Sequence, residues 1–316
     1  MKILICPLNW GLGHATRCVP IIQQLIADGH ELVLVSDGFP LAFLRQEFPG
    51  IRFIDYPSYP IRYSSGKSQV SAMFKSFPAI VARIISEHYW LKRLLKNEHF
   101  DQVISDNRFG MWTKKVHSIY ITHQLMVKMP KRVKMLEPLV WIIHRCIINR
   151  YKECWIPDFH ENGGLSGDLA HKYPLPYNAK FIGILSRFKN IKGILPNTDF
   201  EVVAVLSGVE PQRTMLENTV IQRYSAAKHQ TLIVLGQPDG VKKEMKIGNI
   251  TFVSHLTSGE LASVLIGSKY IISRSGYSTI MDLATLDCLY KAEFIPTPGQ
   301  TEQEYLFRLR VEAEIV

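Results

Sequence analysis

Three observations predict an α/β protein built as two Rossmann-like, doubly wound domains facing across a cleft. Apolar strand-like runs alternate with helical patterns from the first residue, which is the rhythm of βαβ units and a parallel sheet. A polar stretch containing glycine and proline, KNIKGILPNTD (189–199), interrupts that rhythm, and the alternation then restarts. Turns rich in glycine and serine stand where strands give way to helices, most clearly in SRSGYSTIMDL at 273–283.

KILICP (2–7) is the first strand. In ATRCVPIIQQLIADG (15–29) the residues Val19, Ile22, Leu25 and Ile26 recur at helical spacing, and Gly29 closes the pattern. HELVLVSD (30–37), GIRFIDYP (50–57), FDQVISDN (100–107), SIYITH (118–123) and ECWIPD (153–158) continue the strand series. The first domain is therefore expected to span 1–188, closing with FIGILSRF, and 189–199 reads as a linker. The second domain, 200–316, is expected to hold five strands: FEVVAVLSG (200–208), QTLIVLG (230–236), NITFVSHL (249–256), YIISRSG (270–276) and KAEFIPTP (291–298).

The chain has 316 residues, 47% of them apolar and 21% charged, which describes a globular rather than a disordered protein. A net charge of +9 fits an anionic partner (nucleic acid, membrane surface or a phosphorylated small molecule) or a basic surface with no specific partner. Cys6, Cys18, Cys146, Cys154 and Cys288 show no pairing rhythm and read as reduced packing residues of a cytoplasmic protein, Cys6 in a strand and Cys146 in a helix. The apolar start is shorter than a signal-peptide core, and LVWIIHRCII (139–148) is about half a membrane span with His144 and Arg145 inside it.

In open α/β sheets, ligands bind beyond the carboxyl ends of the strands, so the loops there carry the functional signal. NWGLGHAT (9–16) holds Gly11-x-Gly13 and His14. It reads as a tight turn or as part of a dinucleotide fingerprint with Asp37 as ribose acceptor, although Thr16 stands at the third glycine position. A histidine at a helix N-terminus is disfavoured as a cation, which favours a neutral base, while a capping histidine is the plain alternative. SDNRFG (105–110) places Asp106, Asn107 and Arg108 after a strand, either lining the cleft or capping a helix. In the second domain, Ser207 and Gly208 allow close backbone approach, and SRSGYST joins a strand to a helix N-terminus, a place to hold an anion. Asp282 lies six residues beyond Gly276, where it either stays solvated or accepts from a diol such as ribose. Thr297, Gly299, Gln300, Glu302, Gln303 and Glu304 form a loop with the amides and carboxylates that sugar hydroxyls require. A phosphate-ready loop, a diol acceptor and a hydroxyl-reading loop together suggest a nucleotide-sugar.

SRSGYSTIMDL followed by FIPTPGQTEQEY resembles the donor-binding signature of the GT-B glycosyltransferases. The likeness is nearest to the MurG-like group that uses UDP-N-acetylglucosamine and more distant to the UDP-glucuronosyltransferases. It extends to the GLGH loop and to GILSR at the domain junction. The resemblance implies that Ser275 and Gly276 approach the diphosphate, that Asp282 holds the ribose, and that Gln303, with Gln300 nearby, reads the sugar. It implies that Arg187 meets the diphosphate, that Ser207 and Gly208 border the phosphates, and that His255 and Leu256 meet the uracil. His14 becomes the candidate base, with Gly11, Gly13, Asp106 and Asn107 on the acceptor side. The glycine loops are thinner than the family pattern, aspartate stands at 282 in place of glutamate, and the donor domain is expected to be C-terminally shortened at Val316.

The expected reaction is transfer of a hexose or N-acetylhexosamine from a UDP-sugar to an acceptor hydroxyl. No metal-ligand cluster is visible, and neither a metal nor another cofactor is expected. Residues 125–152 carry seven Lys/Arg against one Glu among Met, Trp, Leu and Ile, and 73–96 is similar. Both stretches fit amphipathic helices facing a core, or a surface resting on anionic lipid with a glycan or lipid-linked acceptor. Nucleic acid is not an expected partner, because no recognition module is present. Rival readings are a UDP-sugar 2-epimerase of the same fold, an NAD-dependent dehydrogenase, and a non-catalytic donor-binding or membrane-docking subunit.

Overall fold

The computed structural model describes residues 1–59 and 69–314, excluding the side chains of 69–76, 131, 132, 313 and 314. Its first sheet contains β1 (Lys2–Pro7), β2 (Glu31–Ser36), β3 (Arg52–Asp55), β4 (Gln102–Asp106), β5 (His117–Ile121), β6 (Glu153–Ile156) and β7 (Ala179–Phe181). They run parallel in the order β3-β2-β1-β4-β5-β6-β7. Because strand side chains alternate, Ile3 and Ile5 enter one buried cluster and Leu4 and Cys6 another, one on each face. Helices α1 (Gly13–Ala27) and α2 (Gly38–Glu47) cover the first face through Val19, Ile22, Phe43 and Leu44. On the second face lie α3 (Gln69–Asn97), through Leu91, and α4 (Glu137–Ile148), through Ile148 against Tyr120. Tyr120 is in register with Ser105, which shares the face of Val103, so α3 and α4 cover the same side of the sheet.

After a short helix, α5 (Asp168–His171), and the strand-free stretch that follows Phe181, the second sheet begins. It comprises β8 (Val202–Val205), β9 (Thr231–Val234), β10 (Glu244–Ile247), β11 (Ile250–Val253), β12 (Tyr270–Ser273) and β13 (Ala292–Phe294). The order is β10-β11-β9-β8-β12-β13, parallel except that β10 runs antiparallel to β11. One face is covered by α6 (Gln212–Tyr224), and the other by α7 (Ser258–Gly267) and α8 (Tyr277–Thr285). The final helix, α9 (Thr301–Glu314), reaches back to the first half of the chain. Thr301 Oγ1 donates to the Lys128 carbonyl (2.6 Å), Tyr305 Oη accepts from the Asp168 N–H (2.7 Å), and Arg310 donates to the Leu165 carbonyl (3.1 Å).

Each parallel series matches the alternation read in the sequence, while several readings need correction. Ile26 lies on the exposed side of α1, and Cys146 is exposed on α4 rather than packed. The strands are shorter than their apolar runs: residues 200–208 contain only Val202–Val205 as strand, and the remainder is loop. The β10 edge strand, EMKI, is exposed throughout and has no alternation to read.

The topology fixes where a ligand belongs. From β1 the chain turns to β2 on one side and later to β4 on the other, and β8 stands in the same way between β9 and β12. Such reversals open a crevice at the carboxyl ends of the strands, here bordered by the loops after β1, β4, β8 and β12. Among the described residues, no helix is long and apolar enough to cross a membrane.

Candidate active site

A crevice between the two halves is lined by those four loops and by the loops after β5 and β13. Trp10, Gly11, Gly13, His14, Arg17, Asn107 and His123 face it from the first half of the chain. Ser207, Gly208, Gly276 to Thr279, Thr297, Gln300, Glu302 and Gln303 face it from the second. The N-termini of α1 and α8 meet here, with Ser278 Oγ donating to the Gly13 carbonyl (2.9 Å). Neither helix has a side-chain cap, so orphan N–H groups and two positive helix ends adjoin the crevice. Gly11 (φ 82°) and Gly208 (φ 103°) both adopt the left-handed conformation that favours glycine, and a Cβ on Gly11 would stand 3.9 Å from Gly208 Cα.

At the base of the first half, Asp106 is fully buried and gathers His14 and Arg17. His14 Nδ1 donates to Asp106 Oδ1 (2.7 Å), while Arg17 binds both carboxylate oxygens through Nε (2.5 Å) and Nη2. Arg17 Nη2 also stands 2.9 Å from His14 Nδ1. A guanidinium cannot accept, and a carboxylate is the stronger acceptor, so the imidazole N–H points to Asp106 and Nε2 keeps its lone pair. Burial, followed by the Arg17 charge, pushes the His14 pKa below its usual 6.5, and Asp106 only partly opposes this. Burial would raise the Asp106 pKa, but Arg17 and His14 hold it at about 2. The result is a neutral imidazole oriented by an ionised carboxylate.

His123, in the loop after β5, continues the network. Its Nδ1 lies 3.0 Å from Arg17 Nη1, its Nε2 lies 2.9 Å from Glu302 Oε1, and its ring stacks on Tyr277 (centroids 4.1 Å apart, planes at 5°). Asn107, with φ 55°, accepts from Tyr120 Oη (3.0 Å) at the edge of the crevice.

On the other side, most polar side chains of SRSG hold loops in place. Arg274, almost wholly buried, donates to the carbonyls of Gln212 (2.6 Å), Ile295 (3.1 Å) and Pro296 (3.1 Å), tying the loops after β8 and β13 to its own. Burial lowers its pKa to about 10. Ser275 is fully buried and donates through Oγ to the Gln303 carbonyl (2.8 Å), so Gly276 to Thr279 present the surface of this loop. Gln303 Oε1 accepts from the Thr297 N–H (2.8 Å), and Glu304 Oε1 accepts from that of Gly299 (2.8 Å).

Of the residues named from the sequence, Asp106, Arg108, Arg187, His255, Leu256, Ser275 and Asp282 are not among those lining the crevice, Asp106, Arg108 and Ser275 being buried beneath it. Asp282 lies on the α8 face turned toward the chain junction, where it accepts from Ser186 Oγ (2.6 Å) and pairs with Arg187 (3.4 Å). Burial raises its pKa. Asp282, expected to hold the ribose, and Arg187, expected to meet the diphosphate, are thus paired with each other in this structure. His255 turns to its neighbour Ser254 (3.0 Å). Asp37, the ribose acceptor of the dehydrogenase reading, is engaged by the Ser58 hydroxyl (2.7 Å) and N–H (3.1 Å).

Sequence reasoning missed Arg17, His123 and Tyr277. Arg17 left one signal, its place one helical turn after His14. His123 and Tyr277 left none, because their partners are distant in sequence.

No family model matches the chain. Among curated proteins it is similar to an uncharacterized glycosyltransferase of Methanosarcina acetivorans, 23% identical over 189 residues. The similarity covers 56% of this chain and 44% of that protein, so it spans less than half the relative's length. Among solved structures, the spinosyn rhamnosyltransferase SpnG, complexed with thymidine diphosphate, superposes with a TM-score of 0.60 at 13% identity, covering 99% of this chain and 84% of SpnG. The glycotransferase of kitacinnamycin gives 0.55 at 13%, covering 99% and 95%. UGT2 of Phytolacca americana, complexed with UDP-2fluoro-glucose and pterostilbene, gives 0.52 at 13%, covering 96% and 81%. The chain has the GT-B fold of these glycosyltransferases, two Rossmann-like halves enclosing a crevice.

Proposed function

We propose that the protein is a metal-independent glycosyltransferase that moves a hexose or N-acetylhexosamine from a UDP-sugar to an acceptor hydroxyl. The observation that carries this reading is the His14–Asp106 pair, opening onto the same crevice as two uncapped helix N-termini. In the proposed step His14 Nε2 takes the acceptor proton as the acceptor oxygen bonds to the anomeric carbon. The bond from that carbon to the diphosphate oxygen breaks, and its electron pair leaves with UDP. Asp106 stabilises the imidazolium, while the leaving charge faces the N–H groups around Gly276 to Thr279 and the Ser207–Gly208 loop. Gln300 and Gln303 supply amides for the sugar. The nucleotides named with SpnG and with UGT2 support a nucleotide donor.

The test is a thermal-shift panel of UDP-, GDP- and dTDP-sugars, followed by product analysis with and without acceptor, in EDTA. UDP-sugar at a hundredfold excess over its Kd is expected to add about 2.7 kcal/mol of stability. A shift with none of the three sinks the donor reading. Conversion of UDP-sugar without acceptor favours the epimerase, and loss of turnover in EDTA removes metal independence.

The acceptor is proposed to be a glycan or lipid-linked sugar presented at an anionic membrane surface, with the protein peripheral on its cytoplasmic side. The support is that α3 and α4 cover the same side of the sheet and each exposes apolar side chains, Phe77, Val81, Ile85 and Tyr89 on α3 and Leu139, Ile142 and Ile143 on α4, with Leu136 just before it. Exposed Lys92, Arg93, Lys96 and Lys134 accompany them, the combination of apolar and cationic groups that anionic lipid attracts. Lys131 and Arg132, which belong to the same basic stretch, have side chains outside the described set.

A further inference from the structure

We propose that Glu302 and His123 form a strut across the crevice, through which the first turn of α9, with Gln303 and the preceding Gln300, sets the orientation of His14. Both are positioning residues, and the proposal rests on the transferase reading above.

The hydrogen-bond chemistry leaves one arrangement. Arg17 Nη1 can only donate, so His123 Nδ1, 3.0 Å away, must carry a lone pair. The His123 proton is therefore on Nε2 and is donated to Glu302 Oε1 at 2.9 Å. Gln124 Nε2 donates to the other Glu302 oxygen at 3.3 Å, and Tyr277 clamps the imidazole by stacking on its face. The Tyr277 hydroxyl is itself anchored on the Pro157 carbonyl (2.8 Å).

Each end of the strut is tied to working parts. At one end, the neighbours Gln303 and Glu304 hold the N–H groups of Thr297 and Gly299, so the first turn of α9 and the loop after β13 move together. At the other, Arg17 is committed to both oxygens of Asp106, and Asp106 orients His14. The charged and titratable groups around His14 are Arg17 on its own helix, Asp106 at the end of β4, His123 after β5 and Glu302 on α9, with the Cys18 thiol on Asp106 (3.7 Å).

Without the Glu302 carboxylate, His123 is free to adopt the Nδ1–H tautomer, which aims an N–H at the guanidinium. Arg17 would then turn away, and Asp106 would lose the partner that fixes its plane. Small misplacements of this kind lower turnover more than they weaken binding.

The experiment measures kcat, donor KM and the pH dependence of kcat for Glu302→Ala and Glu302→Gln, with an NMR titration of the His14 imidazole. Glu302→Ala is expected to lower kcat by on the order of 10-fold to 100-fold. Its acid limb and its His14 titration should both move to higher pH, because Arg17 no longer opposes protonation. Glu302→Gln should recover most of the loss, since an amide oxygen still accepts from Nε2–H. A raised donor KM in Glu302→Ala, with kcat and the acid limb unchanged, would show a sugar contact only and overturn the strut. An unchanged His14 titration in folded Glu302→Ala, or a Glu302→Gln as impaired as the alanine variant, would overturn it too. If the native protein transfers no sugar, the transferase reading fails by itself, and the His14 titration still decides whether the strut exists.

Discussion

Asp106 has no solvent exposure and accepts from His14, from two nitrogens of Arg17 and from the Cys18 thiol. That concentration of donors keeps a buried carboxylate ionised, with a pKa of about 2, and so able to orient a base. Because this folded value lies below the usual 3.8, the stabilisation it brings is complete above about pH 4 and is lost as pH falls toward 2. Asp106→Asn should cost kcat a factor on the order of 10², the low end for general base catalysis. It should also destabilise the fold by about 3–5 kcal/mol, since Arg17 is left as a buried cation with no carboxylate. The acid limb of the pH–rate profile, set by His14, should lie below pH 6.5 in the native protein and lower still in this variant, because Asp106 is what favours the charged imidazole. A limb above pH 6.5, or one unmoved by the substitution, would contradict the pairing. The sequence showed His14 and Asp106 as separate loop residues. Their bond spans 92 positions, so only the parallel pairing of β1 with β4 brings them together.

Among elements, helices were legible as helices but not in their phase. SRSGYSTIMDL is the strand–turn–helix junction its pattern implies, yet Asp282 falls on the α8 face that meets Ser186 and Arg187. Spacing from Gly276 cannot tell which side of a short helix meets a ligand when both sides have neighbours. For α4 the periodicity of Leu139, Ile142 and Ile143 fitted a core face and a lipid face equally, and those residues prove exposed. The membrane proposal therefore belongs to α3 and α4. Replacing Lys92, Arg93 and Lys134 together with Glu should abolish sedimentation with liposomes containing phosphatidylserine at low salt. Each lost cation removes roughly 1 kcal/mol of attraction. Binding to neutral liposomes that survives the triple replacement would leave the apolar stripe alone responsible and defeat the electrostatic account.

At the scale of the whole molecule, two sheets, parallel but for the β10 edge and with the same reversal of strand order, determine where six loops converge. This much followed from counting strands, because the apolar runs of β1, β2, β4, β8, β9 and β12 are nearly continuous, as a sheet buried on both faces requires. The return of α9 to the first half was not legible: its contacts with Lys128, Leu165 and Asp168 join residues more than a hundred positions apart and use one side chain each. The crevice is proposed to bind a nucleotide-sugar in its second half and to deprotonate the acceptor with His14 in its first. The most direct measurement is sugar transfer and donor affinity for His14→Ala under identical conditions. Turnover should fall by about 10²–10⁴, while the donor Kd stays within about threefold. Full turnover in the variant would contradict the role of His14, and loss of donor binding together with turnover would contradict the division of labour between the two halves.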